Sequence, residues 1–198
     1  MSNKENRFWI KAKWVLLVSV WTFILAVVIS IASEMLLENI RSLILSILIL
    51  IVVISIGVIF DTIGIAAAAA NEVPFHAKAA KKVFGAKQAI YLVRNADQVS
   101  NFCNDVIGDI SGILSGVIGA AIVFRFVAEQ PGLDRALISI VVTGLVSSLT
   151  VGGKAVGKMI ALEKANSIMY VVSVLLTRFD QVLPGIVPVN NKLSRKRK

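Results

Sequence analysis

Apolar residues fall along this chain in three patterns: long unbroken runs, one segment where they recur every three or four positions, and isolated positions inside charged stretches. Residues 14–32, "WVLLVSVWTFILAVVISIA", and 42–60, "SLILSILILIVVISIGVIF", hold no charged residue. Each suits the about 20 helical residues needed to cross about 30 Å of hydrocarbon. A third run, 106–127, carries Asp109 near one end and Arg125 near the other, and a fourth, 136–151, is shorter and rich in Ser and Thr. Four transmembrane helices are predicted. After the second run, "GIAAAAANEV" at 64–73 favours helix and extends that span into the cytoplasm, until Pro74 breaks or kinks it. Across 76–95, Ala79, Val83, Ala86, Ile90 and Val93 are spaced by three to four residues, with Lys78, Lys81, Lys82 and Lys87 elsewhere on the wheel. That spacing predicts one amphipathic helix at the membrane surface, packed under the spans with its lysines reaching toward headgroups.

Composition fixes the solvent. With 57% hydrophobic and 17% charged residues, the chain is too apolar for an ordinary soluble domain and reads as an integral membrane protein. Positive charge then orients it, because Lys and Arg are retained in cytoplasmic loops. Four lie in the N-terminal tail, five between Asp61 and Asp105, and nine from Lys154 onward, against only Arg41, Arg125 and Arg135 in the other loops. Both termini and the long middle connection are therefore expected in the cytoplasm, with the protein in the cell membrane. The net charge of +9 would face anionic lipid at the inner leaflet, and the tail "KLSRKRK" is read as a solvated segment near that surface rather than as a nucleic-acid site.

The first run has a second reading. A basic start, an apolar core and the small residues "SIAS" also resemble a secretory signal, although the run is longer than usual for one. Cys103 is the only cysteine, so one chain can build neither a disulfide nor a cysteine-based metal site. His76 is the only histidine, and it reads as a surface residue rather than a zinc ligand. No His/Cys cluster, phosphate loop or Ser/His/Asp arrangement suggests an enzyme.

One segment does carry candidate chemistry. "SNFCNDVIGDISGILSGVIG", 100–119, opens the third span with Asn101, Asn104, Asp105 and Asp109. Helical spacing sets Asn101, Asp105, Gly108 or Asp109, Gly112, and Ser115 or Gly116 on one stripe. Gly108, Gly112 and Gly116 make two small-xxx-small steps that admit a close helix neighbour. A lipid-facing carboxylate costs about 2.5 kcal/mol or more at the helix centre, so Asp109 should face protein, water or a cation. Asp105 can instead serve as a helix cap. Lys154 and Lys158, four apart after the fourth span, could neutralise Asp109 or Asp61, or simply reach out to the interface.

From residue 42 to 176 the order of these segments resembles the transmembrane domain of the CNNM/CorC magnesium transporters. "FDTIGIAAAAANEV" is similar to the end of that family's first core helix, where a Phe and a Ser precede a Glu and an Ala-containing cytoplasmic extension. "IGD" at 107–109 is similar to its Ile-Gly-Asn, and "GKAVGKMIALEKANSI" to its Gly-Glu-x-x-Pro-Lys segment. The resemblance implies a dimer of three-helix units with a cytoplasmic helical hairpin and a juxtamembrane helix, holding magnesium on Ser, Asn and Glu groups. It sets Asp61 against the family's Ser, Gly64 against its first Glu, Asp109 against its Asn and Lys154 against its later Glu. Gly108, Gly153 and Lys158 match outright. The CBS domains that commonly follow have no counterpart, because the residues after Leu176 are too few for a folded domain.

The expected organisation is thus an all-α membrane protein: a tail and anchor (1–41), a three-helix core with its cytoplasmic connection (42–176, with 61–105 inside), and a basic tail (177–198). Two functions remain open. One is a homodimeric transporter or exporter of Mg2+ or another divalent cation, with Asp61, Asn104, Asp105 and Asp109 as hard-oxygen ligands. Lys154 fits that reading poorly, since an ammonium repels a divalent ion. The other is a non-transporting scaffold or regulatory subunit in which Asp109 and Lys154 form a structural pair.

Overall fold

The computed structural model describes residues 42–129 and 134–182, together with Gly132 and scattered positions between 16 and 31. The predicted first span at 14–32 lies largely outside the described residues, and the basic tail from 183 wholly so. Among the described residues the regular elements are all helical. They are α1 (Leu43–Ala69), α2 (Val73–Ala80), α3 (Ala86–Arg94), α4 (Ala96–Asn101), a π-helical segment (Phe102–Gly108), α5 (Asp109–Glu129) and α6 (Arg135–Val182).

Three stretches are long and apolar enough to cross a membrane: Leu43–Ala69, Ala96–Ala128 and Arg135–Gln181. The second apolar run and its Ala-rich continuation form one 27-residue helix, as their composition predicts. Pro74 does not end that helix. It stands in the first turn of α2, where a missing N–H costs nothing, and the chain has already left α1 at Ala70. The short fourth run opens a 48-residue helical stretch that is kinked into two helices at Lys164. At about 1.5 Å per residue, α6 far exceeds the hydrocarbon thickness, so its later turns lie beyond any single crossing. Its backbone departs from helical geometry at Lys164, with φ −118° and ψ 26°.

The single amphipathic helix expected at 76–95 is two helices. Lys82 at φ 55° and Gly85 at φ 78° turn the chain between α2 and α3. Gly85 is required twice over, by its left-handed backbone and because a Cβ there would sit 2.9 Å from Val174 Cγ2 and 3.1 Å from the Val174 backbone. The helical phase restarts at this turn. Ala86, Gln88, Ala89 and Leu92 are consequently the buried face of α3, while Val83, expected on the apolar stripe, is exposed.

The described residues fall into two units, those within 1–53 and 110–146 and those within 54–109 and 147–198. In the first unit Leu50, Ile118, Ile122, Val123 and Val146 are buried, and a Cβ on Gly119 would stand 3.2 Å from Val146 Cγ2. The core of the second unit gathers Ala66 and Ala67 of α1, Phe75 of α2, Ala89 and Leu92 of α3, and Ala161, Ala165 and Met169 of α6. The predominance of alanine lets these backbones approach closely. Gly153 and Gly157 continue the same four-residue spacing along α6. A Cβ at Gly153 would lie 2.8 Å from Val58 Cγ2, and one at Gly157 would lie 2.2 Å from Thr62 Oγ1.

Candidate functional site

Asp61 lies on α1 directly after its membrane-length apolar run, Asp109 opens α5, and Lys154 follows the apolar start of α6. All three charges belong to the second unit. Lys154 Nζ stands 3.5 Å from Asp61 Oδ1 and 4.0 Å from Asp109 Oδ1. Neither distance is that of a short charge-assisted hydrogen bond, at about 2.7–2.9 Å. The two carboxylates are not equivalent, because the Asp61 side chain is 15% exposed and that of Asp109 67%. Asp61 is accordingly the stronger partner, as the solvent-screened Asp109 contact is worth less. Gly108 lies beside the cluster, with the Cys103 carbonyl oxygen 3.3 Å from where its Cβ would be. A Cβ there would meet Lys154 Nζ at 3.5 Å and Asp61 Oδ1 at 3.6 Å.

Asn104 adjoins this cluster on the π-helical segment. Its carboxamide fills the space that a side chain at Gly64 would need, with Oδ1 only 2.1 Å from the position of a Cβ. The Nδ2 group donates to Ser100 Oγ at 3.1 Å, while the buried Oδ1 has no hydrogen-bond partner. The segment itself is wide: the Asp109 N–H reaches back to the Asn104 carbonyl, five residues earlier. Such π turns are uncommon and concentrate at functional positions.

The other expected site residues are placed differently. Asp105 and Lys158 are exposed, and neither has an ion-pair partner among the described residues. Gly112 and Gly116 make no close packing contact among the described residues, since a Cβ at either would meet nothing there within 4 Å. The close small-residue contacts come instead from Gly153 and Gly157. Their spacing, continued by Ala161 and Ala165, is a signal that was available in the sequence. Among the described residues no group of three or more His, Cys, Asp or Glu side chains is placed to hold a metal ion.

A second polar cluster joins the start of α2 to the end of α3. Glu72 Oε1 accepts from Arg94 Nε and is 2.7 Å from His76 Nε2. Partial desolvation pushes the Glu72 carboxyl upward, but the hydrogen bonds and positive charges of His76 and Arg94 together hold it below its ordinary value. His76 is thus engaged with a carboxylate on the surface, in keeping with its reading as a surface residue. Lys78 is not a solvated headgroup lysine: its Nζ lies 3.8 Å over the Tyr170 ring, fastening α2 to α6. Asn166 Oδ1 accepts from the Asn71 N–H at 2.8 Å and holds the α1–α2 connection to α6.

No protein-family model, curated protein or solved structure matches this chain.

Proposed function

We propose that this chain is a cell-membrane transporter of a divalent cation of the magnesium class, with both termini in the cytoplasm. One observation carries the reading: Asp61 and Asp109, from two separate segments, converge loosely on a single cation, the Lys154 ammonium. Each of the three residues stands at the cytoplasmic end of its apolar run under the expected topology. A structural ion pair in a weakly polar setting needs close, hydrogen-bonded geometry to offset desolvation. The 3.5 Å contact of the largely buried Asp61 lacks it, and together with the looser 4.0 Å contact of exposed Asp109 it suits a tethered counter-cation that leaves when a better ligand arrives. The resemblance of the segment order to the CNNM/CorC domain points the same way. In this reading the chain works as a homodimer, with Gly112 and Gly116, uncovered among the described residues, facing a second copy, and no enzymatic step is involved.

The scaffold reading keeps one observation in its favour, that Lys154 already lies within ion-pair distance of both carboxylates and balances one of their two charges. Thermal unfolding in detergent, with and without millimolar Mg2+, separates the two. Transport predicts that Mg2+ protects the wild type, that Asp61→Asn or Asp109→Asn weakens the protection, and that Lys154→Met strengthens it by removing a competing charge. A structural pair predicts that each single change lowers stability, that Asp61→Asn with Lys154→Met restores it, and that Mg2+ has no effect on any variant.

A further inference from the structure

The π-helical segment places the two neighbours Asn104 and Asp105 in opposite situations. Asn104 is turned in against Gly64 with an unpartnered oxygen, while Asp105 is exposed and unpaired among the described residues. A π turn holds about one residue more than an α turn, so closing it changes which residue points inward. Counting back from Asp109, five π steps of roughly 80° carry Asn104 through about 400°, and four α steps of about 100° carry Asp105 through the same angle. In the α register Asp105 therefore stands where Asn104 stands now. Gly64, having no side chain, leaves space for it, one turn along α1 from Asp61.

We propose that Phe102–Gly108 is a register switch whose α form brings Asp105 against Gly64 as a third carboxylate, completing a divalent-cation site with Asp61 and Asp109. This inference rests on the transport reading and adds to it a conformational trigger. In the cation-free protein the swap is unfavourable, because it buries a carboxylate beside another of the same charge. Asn104 must also leave Gly64 for the direction now taken by buried Cys103. A bound divalent ion offsets both costs, favours the α form over the π form, and releases Lys154 from its carboxylates. As the wide turn moves toward α4, every residue behind it advances by one position. Cys103, now 6% exposed, takes the direction of Phe102, which is 56% exposed.

The native thiol thus reports the switch. The test measures the rate at which a soluble thiol reagent modifies Cys103 in detergent-solubilised wild type and in Asp105→Asn, with and without Mg2+, beside the thermal unfolding of the same samples. The switch predicts that Mg2+ speeds labelling of the wild type several-fold, and that Asp105→Asn loses the acceleration while keeping part of the thermal protection. Mg2+ protection of the wild type with Cys103 labelling unchanged or slowed would overturn the switch and leave the transport reading standing. Acceleration that persists in Asp105→Asn would remove Asp105 from it. Absence of any Mg2+ effect on either measurement would overturn the switch together with the site on which it depends.

Discussion

The Asn104 carboxamide occupies the space beside Gly64 that a side chain there would need. A Cβ at Gly64 would fall 2.1 Å from Asn104 Oδ1, so Gly64→Val must evict the carboxamide. Overpacking of this kind typically costs about 1–3 kcal/mol. Chemical denaturation should show a loss of that order, and an unchanged midpoint would mean that Asn104 moves aside freely. Glu72 supplies a pH-dependent term of known sign. Its folded carboxyl is held below the reference value of 4.5, so its pairing stabilises the fold above that value and is lost as pH falls through the lowered one. The melting temperature of the wild type should therefore exceed that of Glu72→Gln at neutral pH, and the gap should close in acid. A gap that is constant down to low pH would show that the pairing contributes nothing. At this scale the sequence was a partial guide. The convergence of Asp61, Asp109 and Lys154 could be anticipated from three apolar runs ending on one side. The Asn104–Gly64 contact could not, because it depends on a register that no residue pattern announces.

Helix α6 packs through small residues four apart, and that spacing separates two glycine stripes that look alike in the sequence. Gly157→Leu should drive into Thr62 and Val58, costing about 1–3 kcal/mol. At Gly112 a Cβ meets none of the described residues within 4 Å, so Gly112→Leu should cost the single chain less than Gly157→Leu does and act chiefly on association with a second copy. Equal losses at the two positions, with the oligomeric state held constant, would contradict this placement. The apolar runs made α1, α5 and the start of α6 legible, since length and lack of charge are enough to define them. The continuation of α6 to Val182 was hidden because polar residues such as Lys158 and Glu163 fall on its exposed surface without interrupting helical spacing, and the kink at Lys164 has no signal in the residue pattern. The split between α2 and α3 was missed for a related reason. Spacing of three to four residues can run across a turn by coincidence, and Gly85 was the one local sign of the break.

At the scale of the whole molecule, the account requires the charges around Asp61 to face the cytoplasm. The exposed turn at Gly132 should then lie outside. In a Cys103→Ser background, Gly132→Cys should react with an impermeant thiol reagent on intact cells, and Ser194→Cys should react only after permeabilisation. The reverse pattern would invert the topology. The measurement closest to the central claim is flux. Purified protein in liposomes containing a magnesium-sensitive dye should pass Mg2+ down an imposed gradient, and Asp61→Asn in the same vesicles should pass much less. Wild-type vesicles no more permeable to Mg2+ than protein-free ones, with correctly folded and inserted protein, would contradict the account and leave Asp61, Asp109 and Lys154 as a structural cluster.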